Sequence, residues 1–110
     1  MEKEPKHVIY STKFYLDVID VYKYGLQTFG KIQAEKYLND IYSLVGCLGL
    51  FYDIYPECRH LPTKCKIYRW IILESHLVIY RILESEIQVL RIVHSHRSIT
   101  KIKSSRNIKI

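Results

Sequence analysis

Three apolar runs dominate the last third of the chain: Lys66–Leu73, His76–Leu83 and Glu86–Val93, separated only by Glu74-Ser75 and Glu84-Ser85. Runs of this length broken by two-residue polar links predict a three-stranded antiparallel meander with tight hairpins. With two-residue turns, register counting sets Tyr68, Arg81 and Gln88 side by side, then Trp70, Ile79 and Leu90, then Ile72, Leu77 and Ile92, with His94 ending that face. The opposite face carries Ile67, Arg69, Ile71, Val78, Tyr80, Ile82, Ile87, Val89 and Arg91. Both faces are largely apolar. Helices packed on one side cover only one of them, so the other must be covered by a loop or by another protein.

The first half changes period. His7-Val8-Ile9-Tyr10 is a short β-prone stretch, and Ser11 or Thr12 can then accept hydrogen bonds from the free N–H groups of a following helix. Tyr15, Ile19, Tyr22, Leu26 and Phe29 recur at spacings of four and three, which predicts one apolar helical stripe ending at Gly30. Ala34, Leu38, Ile41, Val45 and Leu48 form a second stripe, on a helix expected to stop near Leu48. Two helices with so short a link pack antiparallel, each turning an apolar face to the sheet. Residues 50–65 contain Pro56 and Pro62 and no period, and read as an irregular connection crossing back over the sheet. The fold class is therefore α+β: a short N-terminal strand, an antiparallel two-helix hairpin and a three-stranded antiparallel meander.

The chain has 110 residues, enough for one domain with a modest core. Its formal charge of +6 is uneven. No acid follows Glu86, whereas Arg91, Arg97, Lys101, Lys103, Arg106 and Lys109 do. Such a segment attracts nucleic acid, a ribosome or an acidic protein, or simply keeps the chain soluble. Cys47, Cys58 and Cys65 make an odd count without framework spacing, which suits reduced thiols rather than disulfides. No apolar run approaches the ~20 residues needed to span a bilayer, so a cytoplasmic protein that does not enter the membrane is expected.

Candidate chemistry is concentrated in arginines and histidines. Arg81, flanked by Tyr68 and Gln88 in the inferred register, could grip a phosphate or carboxylate bidentately, or pair with an acid or lie along the sheet as packing. Arg69 and Arg91 sit among apolar neighbours and are expected to reach an edge or a partner's carboxylate. His94-Ser95-His96-Arg97 combines imidazoles, which move protons near neutral pH, with a group able to stabilise a phosphorane. A zinc site from Cys58, His60, Cys65 and the His94/His96 pair lacks the paired Cys-x₂-Cys knuckle, so no metal is expected. No Gly-rich phosphate loop or nucleophile elbow is present.

Taken in order, the motifs resemble the ParE/RelE superfamily of bacterial type II toxins. The resembling pieces are Ser11-x-x-Phe14-x-x-Asp17-x-x-Asp20-x-Tyr22, Ala34-x-x-Tyr37-Leu38, Pro56-x-x-Arg59, Tyr68-Arg69-Trp70, Leu77-Val78-Ile79-Tyr80-Arg81 and Val89-Leu90-Arg91-Ile92-Val93-His94-Ser95-His96-Arg97. The resemblance implies a single toxin domain over residues 1–99 with a basic C-terminal tail, 100–110. It implies no cofactor, and a cognate antitoxin that wraps the helix hairpin and sheet. Residues expected to meet the target or partner are Arg59, Tyr68, Arg69, Trp70, Arg81, Arg91, His94, His96 and Arg97.

Two branches of the superfamily differ in activity. RelE-like members cut mRNA on the ribosome; ParE-like members poison DNA gyrase and need no catalytic constellation. Leu77 stands where YoeB-like members of the RelE branch carry an arginine, three residues before the strand tyrosine, here Tyr80. The helix hairpin followed by Arg91-Ile92-Val93-His94-x-x-Arg97 is closer to the ParE branch. The expectation is thus a non-catalytic, plasmid-stabilising toxin that inhibits gyrase and arrests growth. The alternatives are a ribosome-dependent mRNA endoribonuclease using Arg81, His94 and Arg97, and a non-toxic interaction module.

Overall fold

The computed structural model describes residues 4–95 and 99–110. Strand β1 (His7–Tyr10) leads into helices α1 (Thr12–Phe29), α2 (Lys31–Gly46) and the short α3 (Leu48–Phe51). After an irregular connection come β2 (Tyr68–Ile72), β3 (His76–Ile82) and β4 (Glu86–His94), then α4 (Ile99–Ser104) and a 3₁₀ turn at Ser105–Asn107. The α+β class, the helix hairpin and the meander are as the sequence predicts. The sheet order is β1-β4-β3-β2, with β1 parallel to β4 and the meander antiparallel.

Ser11 forms the junction between strand and helix. Its hydroxyl accepts the Phe14 N–H at 2.9 Å, capping α1, and donates to the Leu90 carbonyl of β4 at 2.5 Å. One side chain thus satisfies an orphan helix donor and fixes α1 on the sheet. The helix ends at Gly30, whose φ of +86° strains any residue with a Cβ. Its N–H closes on the Leu26 carbonyl, and its own carbonyl starts α2 by accepting from Ala34. At the other end of α2, Gly49 lies against Lys6 so closely that a Cβ would run into the Lys6 carbonyl oxygen. The Lys6 N–H bonds Gly49 O at 2.9 Å, tying α3 to the chain just before β1.

The stripe predicted to bury α1 is the wrong one. Phe14, Val18 and Val21 face the sheet, together with Asp17, and Gly25 is buried against Ala34 of α2, while Tyr15, Ile19, Leu26 and Phe29 are exposed and Tyr22 half-buried. The helix carries two apolar stripes roughly 100° apart, one residue out of phase. Hydrophobic period cannot choose between them; the tethers of Ser11 and Asp17 to β4 set the rotation. The α2 stripe is as predicted, with Ala34, Ile41, Val45 and Leu48 buried and Leu38 partly so.

Both hairpin links are two-residue turns, closed by Leu73 N–H to His76 O and Leu83 N–H to Glu86 O, each at 2.9 Å. The counted register holds for β2 against β3 and for Arg81 opposite Gln88. Then it slips: Tyr80 pairs with Val89 but Ile79 with Arg91, so Leu90 is the extra residue of a β-bulge. Beyond it the faces exchange. Ile92 joins the helix-side core and Val93 the other, and His94 pairs with His76 on the helix side, not on the face with Tyr68 and Arg81.

The bulge lies where β1, paired to Glu86–Val89, runs out. From there α1 takes over the β4 edge, with Ser11 Oγ on the Leu90 carbonyl and an Asp17 oxygen on the Ile92 N–H. The helix-side core gathers Phe14, Val18, Val21, Ile41, Val45, Leu48, Ile71, Val78, Tyr80, Ile87, Val89 and Ile92. Opposite, Tyr68, Trp70, Leu77, Ile79, Leu90 and Val93 are covered by Cys58 and Leu61 of the connection and by Ile102 and Ile108 of the C-terminal segment. The second apolar face is therefore closed in part by the loop, as one reading of the sequence required, and in part by the chain's own end.

Candidate functional site

Among the described arginines of the predicted site, Arg81 is the most heavily bonded. Its Nε and Nη2 donate to Gln88 Oε1 at 2.8 and 2.5 Å, and its Nη1 reaches the Tyr68 hydroxyl at 3.3 Å. Nη2 also donates to the Ile108 carbonyl at 2.8 Å and Nη1 to the Arg106 carbonyl at 3.4 Å. Sequence counting places Tyr68, Arg81 and Gln88 together, and they are together. The guanidinium, however, also grips the chain's own C-terminal backbone, so its donors are taken up within the protein.

Arg91 and Arg69 are also internally engaged. Arg91 forms a two-pronged ion pair with Asp17, Nε to Oδ2 at 3.0 Å and Nη2 to Oδ1 at 2.7 Å. The carboxylate expected of a partner is thus supplied by α1, and the pairing holds the Arg91 guanidinium even more firmly charged than usual. Arg69 donates to the carbonyls of Lys66 at 2.9 Å, Tyr55 at 2.8 Å and Asp53 at 3.3 Å, stapling the irregular connection to β2. Arg59 alone of the predicted arginines that are described is exposed, its guanidinium 5.9 Å from the Trp70 ring, which His60 meets edge-on. His96 and Arg97 lie outside the described residues.

His94 ends β4 in a ring cluster with His76 and Tyr24, at centroid distances of 5.3 and 5.9 Å. Tyr37 Oη lies 2.9 Å from His76 Nδ1. A cleft of about 210 Å³ opens beside them, lined by Asp17, Asp20, Tyr24, His76, Arg91, His94 and Lys101 among others. His76 is only 5% exposed; burial, and then the neighbouring His94, push its pKa down to about 4. It is folded into the protein as neutral imidazole. In the unfolded chain it takes a proton near pH 6.5, so between pH 6.5 and 4 the unfolded state binds more protons and stability falls as pH falls. The expected loss is on the order of 3 kcal/mol by pH 4. Urea midpoints measured across that range should show a steeper fall for the natural chain than for His76→Gln, which cannot take up the proton.

Arg81 and His94 do not converge. Arg81 faces Gln88 at the start of β4 and His94 faces His76 at its end, five residues apart along β3 and six along the bulged β4, about 17–20 Å. In the sequence Asp17 stands out only as a motif residue; the signal for its role is an acid on an otherwise apolar helix face. Among the described residues, no three His, Cys, Asp or Glu side chains come together to hold a metal, and no helix is long and apolar enough to cross a membrane. All three cysteines are free, Cys58 buried and the others exposed.

Comparison with known proteins gives the geometry a family. Among solved structures the chain is similar to one described as a chromosomal ParDE TA system from P. aeruginosa, at 22% identity and a TM-score of 0.65, covering 84% of this chain and 98% of that one. At that identity the likeness bears on the fold. Comparison with curated proteins returned no match. A family profile, that of the ParE toxin of the type II toxin-antitoxin system parDE, matches residues 8–99, from β1 to the start of α4. The chain belongs to the ParE family of type II toxins.

Proposed function

We propose that this toxin arrests growth by inhibiting DNA gyrase, acts in the cytoplasm without chemistry of its own, and is held inactive by a cognate antitoxin. The observation that carries the reading is the wiring of its arginines. Cleavage of mRNA needs an acid–base pair and a phosphate-stabilising cation within reach of one scissile bond. Arg81 on β3 and His94 on β4 stand at opposite ends of the ladder between those strands, about 17–20 Å apart, and Arg69, Arg81 and Arg91 are engaged by backbone carbonyls or by Asp17. Among the described residues, what remains available is surface, which suits a toxin that works by binding.

The surface also supports an antitoxin partner. Tyr15, Ile19, Leu26 and Phe29 of α1 stand exposed along one stripe, and Ile32 at the start of α2 is 81% exposed. A continuous apolar strip of this kind marks an interaction surface. An antitoxin segment that folds onto it would bury that strip, in keeping with a partner wrapped around the hairpin.

Toxin freed from its antitoxin should inhibit gyrase supercoiling and trap cleaved DNA while leaving in vitro translation intact. Codon-phased mRNA cuts with gyrase unaffected would replace this reading with the endoribonuclease one.

A further inference from the structure

A second cleft, about 380 Å³, lies between the start of α1, the bulged part of β4 and the C-terminal segment, and is lined by Lys13, Arg91, Ser104, Asn107, Ile108 and Lys109. The charge of Arg91 is balanced by Asp17. Among the described residues no carboxylate pairs with Lys13 or Lys109. The same segment exposes Lys101, Lys103 and Arg106, and no acidic side chain occurs after Glu86 to offset them. From Lys101 to Lys109 the chain is mostly α- or 3₁₀-helical. At about 1.5–2 Å per residue that band is roughly 12–16 Å long, or about four phosphate steps of one DNA strand.

We propose that this cleft and the basic band beside it bind the phosphate backbone of duplex DNA. Besides the Asp17-paired guanidinium of Arg91, the lining offers two ammonium groups, a hydroxyl and a carboxamide, the donors that contact phosphate and sugar. It contains no aromatic ring on which unpaired bases could stack, which disfavours single-stranded RNA or DNA. Ile108 is its one apolar residue, so it lacks the buried aromatic anchors of a protein-binding hot spot. Arg81 contributes indirectly, since its hold on the Arg106 and Ile108 carbonyls keeps this segment in place. The proposal goes beyond the gyrase reading and does not depend on it, because DNA binding is measured with gyrase absent.

The test is fluorescence anisotropy of a labelled duplex of about 20 base pairs, titrated with the full-length toxin over a range of KCl concentrations. Binding should weaken as salt rises, with the logarithm of the affinity falling linearly against the logarithm of salt. Lys13→Gln combined with Lys109→Gln should reduce that slope by about 1.8, two phosphates at about 0.9 each, and cut affinity at least about tenfold at low salt. The control, Lys31→Gln with Lys36→Gln on α2, removes the same charge elsewhere and should change affinity less than about twofold. Thermal midpoints confirm that all variants fold. The proposal is overturned if the two pairs weaken binding equally, which indicates diffuse attraction. It is overturned equally if the duplex is not bound at low salt, or if a poly-glutamate peptide binds the cleft and the duplex does not.

Discussion

Replacing Asp17 with alanine should cost about 3–5 kcal/mol of folding stability, the cost of breaking a buried ion pair by removing one partner. Asp17 is 7% exposed and its carboxylate carries three bonds: two to the Arg91 guanidinium and one, at 3.0 Å, to the Ile92 N–H. Without it a guanidinium is left largely buried with no counter-charge, and a β4 donor loses its acceptor where no strand covers the edge. A domain of this size is stable by roughly 5–15 kcal/mol, so the variant should be partly unfolded or cleared in cells. Asp17→Asn keeps an acceptor and should cost less. Asp17→Ala combined with Arg91→Met should recover much of the loss, because the uncompensated charge is removed with its partner. Urea unfolding of the three variants gives the comparison; a loss below about 1 kcal/mol for Asp17→Ala would place the pair in the solvent-screened class.

Asp17 also shows where the sequence stopped being legible. Strand runs, hairpin links, the glycine between the helices and the core stripe of α2 follow from period and turn chemistry. The rotation of α1 does not, because two apolar stripes compete and the deciding contacts are polar and lie more than seventy residues apart in sequence. The bulge at Leu90 is equally hidden: neither Gly nor Pro marks it, and its cause is the end of β1 pairing and the takeover of the β4 edge by α1. One inserted residue then moves Ile92 and His94 to the face opposite the one counted. For the candidate site, counting brought Arg81, Tyr68 and Gln88 together correctly. It could not show that Arg81 faces its own C-terminal backbone, since Ile102 and Ile108 have no readable period.

Deleting residues 99–110 is expected to have the other large effect. Ile102 is 4% exposed and the partly buried Ile108 packs against the same cluster, so their removal forfeits about 3–5 kcal/mol of apolar burial. It also uncovers Tyr68, Trp70, Leu77 and Ile79, and the truncated chain should aggregate or bind hydrophobic dyes. Arg81→Ala should cost less, about 1.5–3 kcal/mol, as the bonds from a charged donor to the Ile108 and Arg106 carbonyls are lost. Amide exchange separates its consequences. In Arg81→Ala the amides from Arg106 onward should exchange faster, while those of α1 and α2 keep their protection. Because the guanidinium acts through the C-terminal segment, growth arrest in Arg81→Ala should fall only as far as folded protein falls. If the variant lost toxicity with both stability and amide protection intact, Arg81 would have to meet the target directly, and the bonds to the C-terminal backbone would have to open when it does.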